Sequence, residues 1–88
     1  MIKEKMTVTN KIGLHARAAA KFVEVTNKYD ADIEIRCQNG SIDGKSIMGI
    51  LALGISQGET IEVIADGLDE EEAMDGIREL LDKGLENL

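Results

Sequence analysis

Polar and apolar residues alternate along three stretches of this chain, which is the pattern of a β-strand with one covered face. The stretches are IKEKMTVT at 2–9, ADIEIRC at 31–37 and ETIEVIAD at 59–66. Glu4 is the one charged residue on the inward side of the first strand. Because the end of that strand is expected to fray, we expect the inward position of Glu4 to cost little stability.

Two stretches repeat with the period of a helix. From Ala16 onward, a single stripe is formed by Ala19, Phe22, Val23 and Thr26, at spacings of three and four residues. The segment SIMGILALG at 46–54 is short and apolar, with Ser46 as a candidate N-cap and Gly54 behind it. It predicts a helix of two turns, in which we expect Ile50 and Leu53 to face the core.

A third helix is predicted at the end of the chain. Its apolar stripe consists of Ala73, Met74, Ile77, Leu80, Leu81 and Leu88. Asp69 precedes the stripe and Glu72 follows three residues later, so we expect a capping box. Glu70 and Glu71 add negative charge where the helix dipole is positive.

The pair Asn39-Gly40 suits the positive φ angles of a tight hairpin, so the following SID should return as an antiparallel strand. The predicted order is β-α-β-β-α-β-α. It indicates an α+β fold for residues 1–88 as one domain: a two-layer, open-faced sandwich with a four-stranded antiparallel sheet and three helices on one face.

Composition limits the class of protein. With 43% hydrophobic and 31% charged residues and no proline, the chain suits a compact globular domain. Residues 1–58 hold eight Lys/Arg against six Asp/Glu, whereas residues 59–88 hold two against eleven. An acidic chain with one Phe and one Tyr argues against nucleic acid as a partner. The absence of a long apolar run and the charged N-terminus predict no membrane association and a cytoplasmic location.

Several familiar sites do not fit the residues. NGSIDGKS at 39–46 has three residues between its first glycine and Gly-Lys-Ser, where a phosphate-binding loop needs four. His15 and Cys37 are too few for a metal site, and no serine lies in a nucleophile-elbow sequence. Cys37, the single cysteine, is interpreted as a small hydrophobe in a strand. We therefore predict no metal and no cofactor.

His15, the only histidine, stands where the first helix begins. The backbone N–H groups of Ala16, Arg17 and Ala18 have no helical acceptor, and the positive end of the helix dipole favours a neutral imidazole. If the imidazole accepted a phosphoryl group, the new anion would lie on these amides and near the Arg17 guanidinium. The alternative interpretation is that His15 only caps the helix or packs at its edge.

Two motifs carry a resemblance that covers the whole chain. GLHARAAAKFV at 13–23 and GKSIMGILALG at 44–54 resemble HPr, the histidine-containing phosphocarrier of the bacterial phosphoenolpyruvate-dependent phosphotransferase system. The resemblance implies that enzyme I phosphorylates His15 on Nδ1 and that the group passes to IIA domains of sugar permeases. Arg17 would neutralise the phosphate. Such a protein is a covalent carrier and not an enzyme, and we expect a monomer.

The resemblance also implies a regulatory site and a docking surface. Ser46 matches the serine that an HPr kinase/phosphorylase modifies in many Gram-positive and some other bacteria. Its alternative interpretation, an N-cap, is compatible with modification. Ile47 and Met48 match an apolar patch that meets partners, and we add Ala20 and Leu51 to it, although the pair could simply be buried.

The chain departs from the family at three positions. Ala18 replaces a proline that usually follows the arginine, and Glu24 and Gly49 replace frequent lysines. These changes leave partner choice open. An alternative function is therefore a regulatory HPr-like protein whose phosphorylation at His15 or Ser46 is read by partners with little role in sugar uptake. A histidine-dependent hydrolase has no second acid or base to support it.

Overall fold

The computed structural model describes residues 1–11 and 13–85. Its elements follow the predicted order. They are strand β1 (Ile2–Thr7), helix α1 (Ala16–Thr26), strands β2 (Asp32–Cys37) and β3 (Gly40–Asp43), helix α2 (Ile47–Leu53), strand β4 (Thr60–Asp66) and helix α3 (Glu70–Glu79), which continues as a π-helical turn over Leu80–Gly84. None of the helices in the described part of the chain combines the length and apolar character needed to cross a bilayer.

The four strands form one antiparallel sheet in the order β1-β4-β2-β3, with the three helices packed on one face, as predicted. The strands contribute to the core Met6, Ile33, Ile35, Ile61, Val63 and Ala65. Beyond the β1–β4 ladder the pairing continues, because Val8 N–H donates to Glu59 O (2.9 Å) and Gly58 N–H donates to Val8 O (2.7 Å). The loop that leads from β1 to His15 therefore starts from a fixed end of the sheet.

The predicted stripe of α1 is confirmed, since all four of its members are buried. Thr26 is a fully buried polar residue at the end of this stripe. Its hydroxyl donates to Val23 O (3.2 Å) or Gly44 O (2.9 Å), and the second bond joins the end of α1 to the segment before α2. The polar atom is thus satisfied where it is buried.

The capping prediction for α2 is confirmed at both ends. Ser46 Oγ accepts a hydrogen bond from Gly49 N–H at 3.0 Å, and Gly54 ends the helix with φ +60°. Ile50 and Leu53 are buried, as expected. An apolar segment of seven residues is therefore held as a helix by the two capping residues that flank it and by its buried face.

The capping box predicted for α3 is wrong. Asp69 lies at the N-cap, but its side chain makes no bond to α3. Its carboxylate instead accepts from Asp30 N–H (2.9 Å) and Ala31 N–H (2.8 Å), across the molecule. Glu70 takes the local role by accepting from Gly67 N–H at 3.0 Å. The Asp69 carboxylate therefore binds two backbone amides of the loop before β2 and does not cap α3.

The apolar stripe of α3 is confirmed for the described residues. Its buried members are Ala73, Met74, Ile77, Leu80 and Leu81. Leu85 is also buried, because the chain continues into the π-helical turn, and Leu88 lies outside the described residues.

The hairpin between β2 and β3 is present, but its turn is shifted by one residue. Cys37 pairs with Gly40, so the loop residues are Gln38 and Asn39. Within this hairpin, positive φ occurs only at Gly40 (+133°), and Asn39 uses its side-chain amide to donate to Leu53 O at 3.0 Å. Asn39 thus contributes a contact to α2 and does not adopt the positive φ that its pairing with glycine suggested.

Glu4 is stabilised by a partner and not by fraying, which corrects the sequence-based explanation. Both of its carboxylate oxygens accept from Arg78 of α3, each at 2.7 Å. The charged residue at an inward position of β1 thus joins the first strand to the last helix.

Candidate functional site

His15 is the N-cap residue of α1. Its backbone is extended (φ −75°, ψ −177°), and its carbonyl accepts the first helical bond, from Ala19 N–H at 2.8 Å. The imidazole Nδ1 accepts a hydrogen bond from Arg17 N–H at 3.3 Å. The side chain is half-buried. The structure therefore has the predicted helix start and directs Nδ1 at the Arg17 amide in the first turn.

The two ring nitrogens lie in different surroundings. Because Nδ1 accepts a hydrogen bond from an amide, we assign the ring proton of the neutral imidazole to Nε2. Nε2 is buried and has no hydrogen-bond partner within residues 1–11 and 13–85. The nitrogen that faces the helix N-terminus is thus the unprotonated one, and its lone pair accepts the Arg17 N–H.

The other predicted members of the site surround this N-terminus. Ala16 and Arg17 are exposed, whereas the Ala18 side chain is fully buried in the core. Because the first helical bond starts at Ala19, the amides of the three preceding residues have no helical acceptor. In the described part of the chain, no ion pair engages the Arg17 guanidinium. The site therefore offers a backbone amide at His15 Nδ1 and an exposed arginine two residues further on that has no ion-pair partner among the described residues.

A tight turn leads into His15, and the sequence analysis missed it. Asn10 O accepts from Gly13 N–H at 3.1 Å, and Asn10 Nδ2 donates to Gly13 O at 2.5 Å. Gly13 has φ +70°, and Leu14 N–H donates to Ile55 O at 3.0 Å. The signal was available, because asparagine followed three residues later by glycine is typical of a β-turn.

The residues assigned to the apolar patch differ in exposure. Met48 is 76% exposed and Ile47 is 40% exposed, while Ala20 is exposed on α1. Leu51 is half-buried and packs against the core. An exposed apolar pair at the start of α2 removes the alternative that it is simply buried.

Ser46 and His15 lie at opposite ends of the α1–α2 pair. Leu14, at the start of α1, bonds to Ile55 just after α2, whereas Thr26, at the end of α1, bonds to Gly44 just before it. The two helices thus run in opposite directions, and α1 is about 16 Å long. A group on Ser46 would therefore act on partners or through its charge and not by contact with His15.

The three departures from the family pattern have local structural consequences. A Cβ at Gly49 would stand 3.2 Å from Ile42 Cβ and 3.3 Å from Ser46 Oγ, so a side chain there would crowd the cap of α2. Glu24 pairs with Lys21 at 3.8 Å on the exposed side of α1. Ala18 occupies a fully buried position with only a methyl group.

The described residues contain no group of three His, Cys, Asp or Glu side chains that could hold a metal ion. Cys37 is a half-buried free thiol at the end of β2 and packs against the core, as its interpretation as a small hydrophobe requires.

Comparison with known proteins gives a consistent family. The family model described as PTS HPr component phosphorylation site matches residues 2–83. Phosphocarrier protein HPr of Xylella fastidiosa is 43% identical over 82 residues, which is 93% of this chain and 92% of that protein. HPr-like protein Crh of Halalkalibacterium halodurans is 39% identical over 83 residues, 94% of this chain and 99% of that protein.

Among solved structures, the crystal structure of HPr-C-His from Thermoanaerobacter tengcongensis superimposes with a TM-score of 0.93 at 40% identity, covering 97% of this chain and 96% of that one. Similarity in sequence and in fold thus extends over nearly the whole chain. The chain belongs to the HPr family of phosphocarrier proteins of the phosphotransferase system.

Proposed function

We propose that this protein accepts a phosphoryl group on His15 Nδ1 from phosphorylated enzyme I and passes it to IIA domains of sugar permeases. The observation that carries the proposal is the 3.3 Å hydrogen bond from Arg17 N–H to His15 Nδ1 at the start of α1. It indicates a nucleophilic lone pair at a helix N-terminus, where backbone amides and the dipole favour an anion.

The transfer needs little from this chain beyond position and charge. The Nδ1 lone pair forms the bond to phosphorus while the bond between phosphorus and the donor atom breaks, and that electron pair leaves with the donor. The hydrogen bond from Arg17 N–H to Nδ1 breaks, and the Arg17 N–H donates to a phosphoryl oxygen instead. The ring keeps its proton on Nε2, and the guanidinium of Arg17 offsets the remaining negative charge.

A carrier role fits the surroundings of the imidazole. Within the described residues, His15 accepts from a backbone amide and makes no hydrogen bond to another side chain that could serve as acid or base. Phosphoryl transfer depends mainly on positioning and electrostatic stabilisation. The second half of the reacting site would come from each partner, so the protein is proposed to be a carrier and not an enzyme.

Ala20, Ile47, Met48 and Leu51 form the proposed docking patch for these partners. The support is that Ile47 and Met48 are exposed large apolar side chains on a helix that packs against α1. Clustered exposed apolar side chains on a protein surface commonly mark an interaction site. Glu24, with its bond to Lys21, makes the neighbouring surface less basic, which favours partners that are less acidic.

A regulatory HPr-like protein is the second candidate function, because the similar proteins include an HPr-like protein named Crh. Ser46 at the N-terminus of α2 supports it, since phosphate on an N-cap is favourably placed. With ATP and an HPr kinase/phosphorylase, an acid-stable gain of one phosphoryl group that Ser46→Ala abolishes is expected. No gain would remove Ser46 from the regulatory proposal.

The first experiment is intact-mass spectrometry after incubation with phosphoenolpyruvate and a cognate enzyme I. The wild type is expected to gain one acid-labile phosphoryl group, and His15→Ala is expected to gain none. Wild type without a gain would overturn the carrier proposal and favour regulation at Ser46. A gain that persists in His15→Ala would move the acceptor to another residue.

A further inference from the structure

A single side chain, that of Asn10, holds the carbonyl end of the turn that leads into His15. Its Nδ2 donates to Gly13 O at 2.5 Å, while its own backbone carbonyl accepts from Gly13 N–H at 3.1 Å. Asn10 is 8% exposed. Burial of a side-chain amide is costly unless it is hydrogen-bonded, and here the bond goes to the backbone just ahead of the reactive histidine.

The peptide group between Gly13 and Leu14 is consequently bonded at both ends. Its carbonyl accepts from Asn10, and its N–H donates to Ile55 O at 3.0 Å. Leu14 is only 3% exposed and belongs to the core. The peptide plane cannot rotate without breaking one of the two bonds. Because His15 is the next residue after Leu14, holding this plane limits the paths by which the backbone can enter the start of α1.

We propose that Asn10 is a positioning residue for the phosphoryl transfer. By fixing the Gly13–Leu14 peptide it keeps His15 Nδ1 beside the Arg17 N–H, where the transferring group is stabilised. The inference rests on the proposed function, since it concerns the rate at which His15 is phosphorylated. Displacing a reacting atom by about 1 Å lowers a rate by as much as a hundredfold.

The chain offers a matched control at the same end of the sheet. Gln57 Nε2 donates to Thr9 O at 3.1 Å, so it too is a side-chain amide bonded to a backbone carbonyl of this loop. Gln57 is exposed, and its hydrogen bond goes to Thr9, which precedes Asn10 in the sequence and so is further from His15 along the chain. Removal of this amide leaves the Gly13–Leu14 peptide bonded at both ends.

The test compares Asn10→Asp, Asn10→Ala and Gln57→Ala with the wild type. Asn10→Asp keeps the size of the side chain but presents a carboxylate that cannot donate to Gly13 O. With enzyme I and phosphoenolpyruvate, and well below each melting temperature, we expect kcat for both Asn10 variants to fall about tenfold to a hundredfold. KM for the carrier should change less than about twofold, and Gln57→Ala should match the wild type.

A spectroscopic readout tests the same inference without any partner. In the Asn10 variants, the Arg17 amide proton should exchange faster and shift in NMR spectra, because its bond to Nδ1 is populated less. Wild-type kcat in Asn10→Asp, or an unchanged Arg17 amide, overturns the positioning role. If Asn10→Ala does not fold, Asn10→Ser, which keeps a hydroxyl donor, is expected to show a smaller fall. If the wild type itself is not phosphorylated, the carrier proposal fails, while the NMR result still decides whether Asn10 positions the ring.

Discussion

Gly13 and Gly54 are conformationally similar residues in very different surroundings. Both have positive φ, +70° and +60°, which an L-residue adopts only at a cost. A Cβ at Gly54 would have nothing within 4 Å, whereas a Cβ at Gly13 would overlap the Ile55 carbonyl oxygen and stand 2.8 Å from Ser56 Cα. Gly13 is therefore required by both its backbone conformation and the close approach of another segment.

This difference predicts unequal costs for the same substitution. Gly54→Ala is expected to lower the free energy of unfolding by about 1 kcal/mol, the cost of the left-handed conformation alone. Gly13→Ala should lower it by about 3 kcal/mol, because the added methyl group must also push backbone atoms apart. Urea unfolding of the two variants and the wild type measures both values. Equal losses would show that the contact with Ile55 and Ser56 relaxes without cost.

At the scale of elements, α2 combines structural and exposed positions within seven residues. Ile50 and Leu53 are buried and Ser46 caps the helix, so these positions are explained by folding. Met48 is 76% exposed, which folding does not explain. The sequence predicted this division for the buried pair from periodicity. It could not decide the exposure of Ile47 and Met48, because at the start of a two-turn helix either side can face the core.

Substitution of Met48 tests the docking patch. Met48→Asp should leave the melting temperature nearly unchanged, since the side chain lies mostly in solvent. It should raise the KM of enzyme I for this protein roughly tenfold, equivalent to about 1.4 kcal/mol, with kcat preserved. Leu68→Asp is the matched control, because Leu68 is an exposed leucine at the opposite end of β4 from the His15 loop. Wild-type KM in a folded Met48→Asp variant would remove Met48 from the patch.

Across the whole molecule, strands and helices were predictable from sequence, but the contacts that join distant segments were not. Periodicity and caps are local, so β1, α1 and α2 followed from their own residues. Asp69 bonds to the loop before β2 and Glu4 bonds to Arg78, and neither partner is determined until the strand order β1-β4-β2-β3 brings them together. The same limit applies to the candidate site: His15 and Arg17 were predicted from adjacent residues, whereas the contact of Leu14 with Ile55 depends on the packing of α2.

The Asp69 contact predicts a specific dependence of stability on pH. The backbone N–H of Asp30, and then that of Ala31, stabilise the carboxylate and hold the pKa of Asp69 below its ordinary value of 3.8. The unfolded chain therefore binds the proton first on acidification. The contribution of the carboxylate is complete above about pH 4, and it is lost as the pH falls through the lower, folded-state pKa.

Asp69→Asn replaces one acceptor oxygen by an NH2 group that faces a backbone N–H, so the variant should melt below the wild type at pH 7. Because only the wild type loses a carboxylate contact in acid, the difference in melting temperature should stay constant down to about pH 4 and narrow below it. Thermal melts of both proteins between about pH 2.5 and 7 measure this difference. Asp82→Asn is the control, since Asp82 is exposed and makes no ion pair within the described residues. If the difference in melting temperature at the lowest pH were as large as at pH 7, Asp69 would join the two segments through its shape and not through its charge.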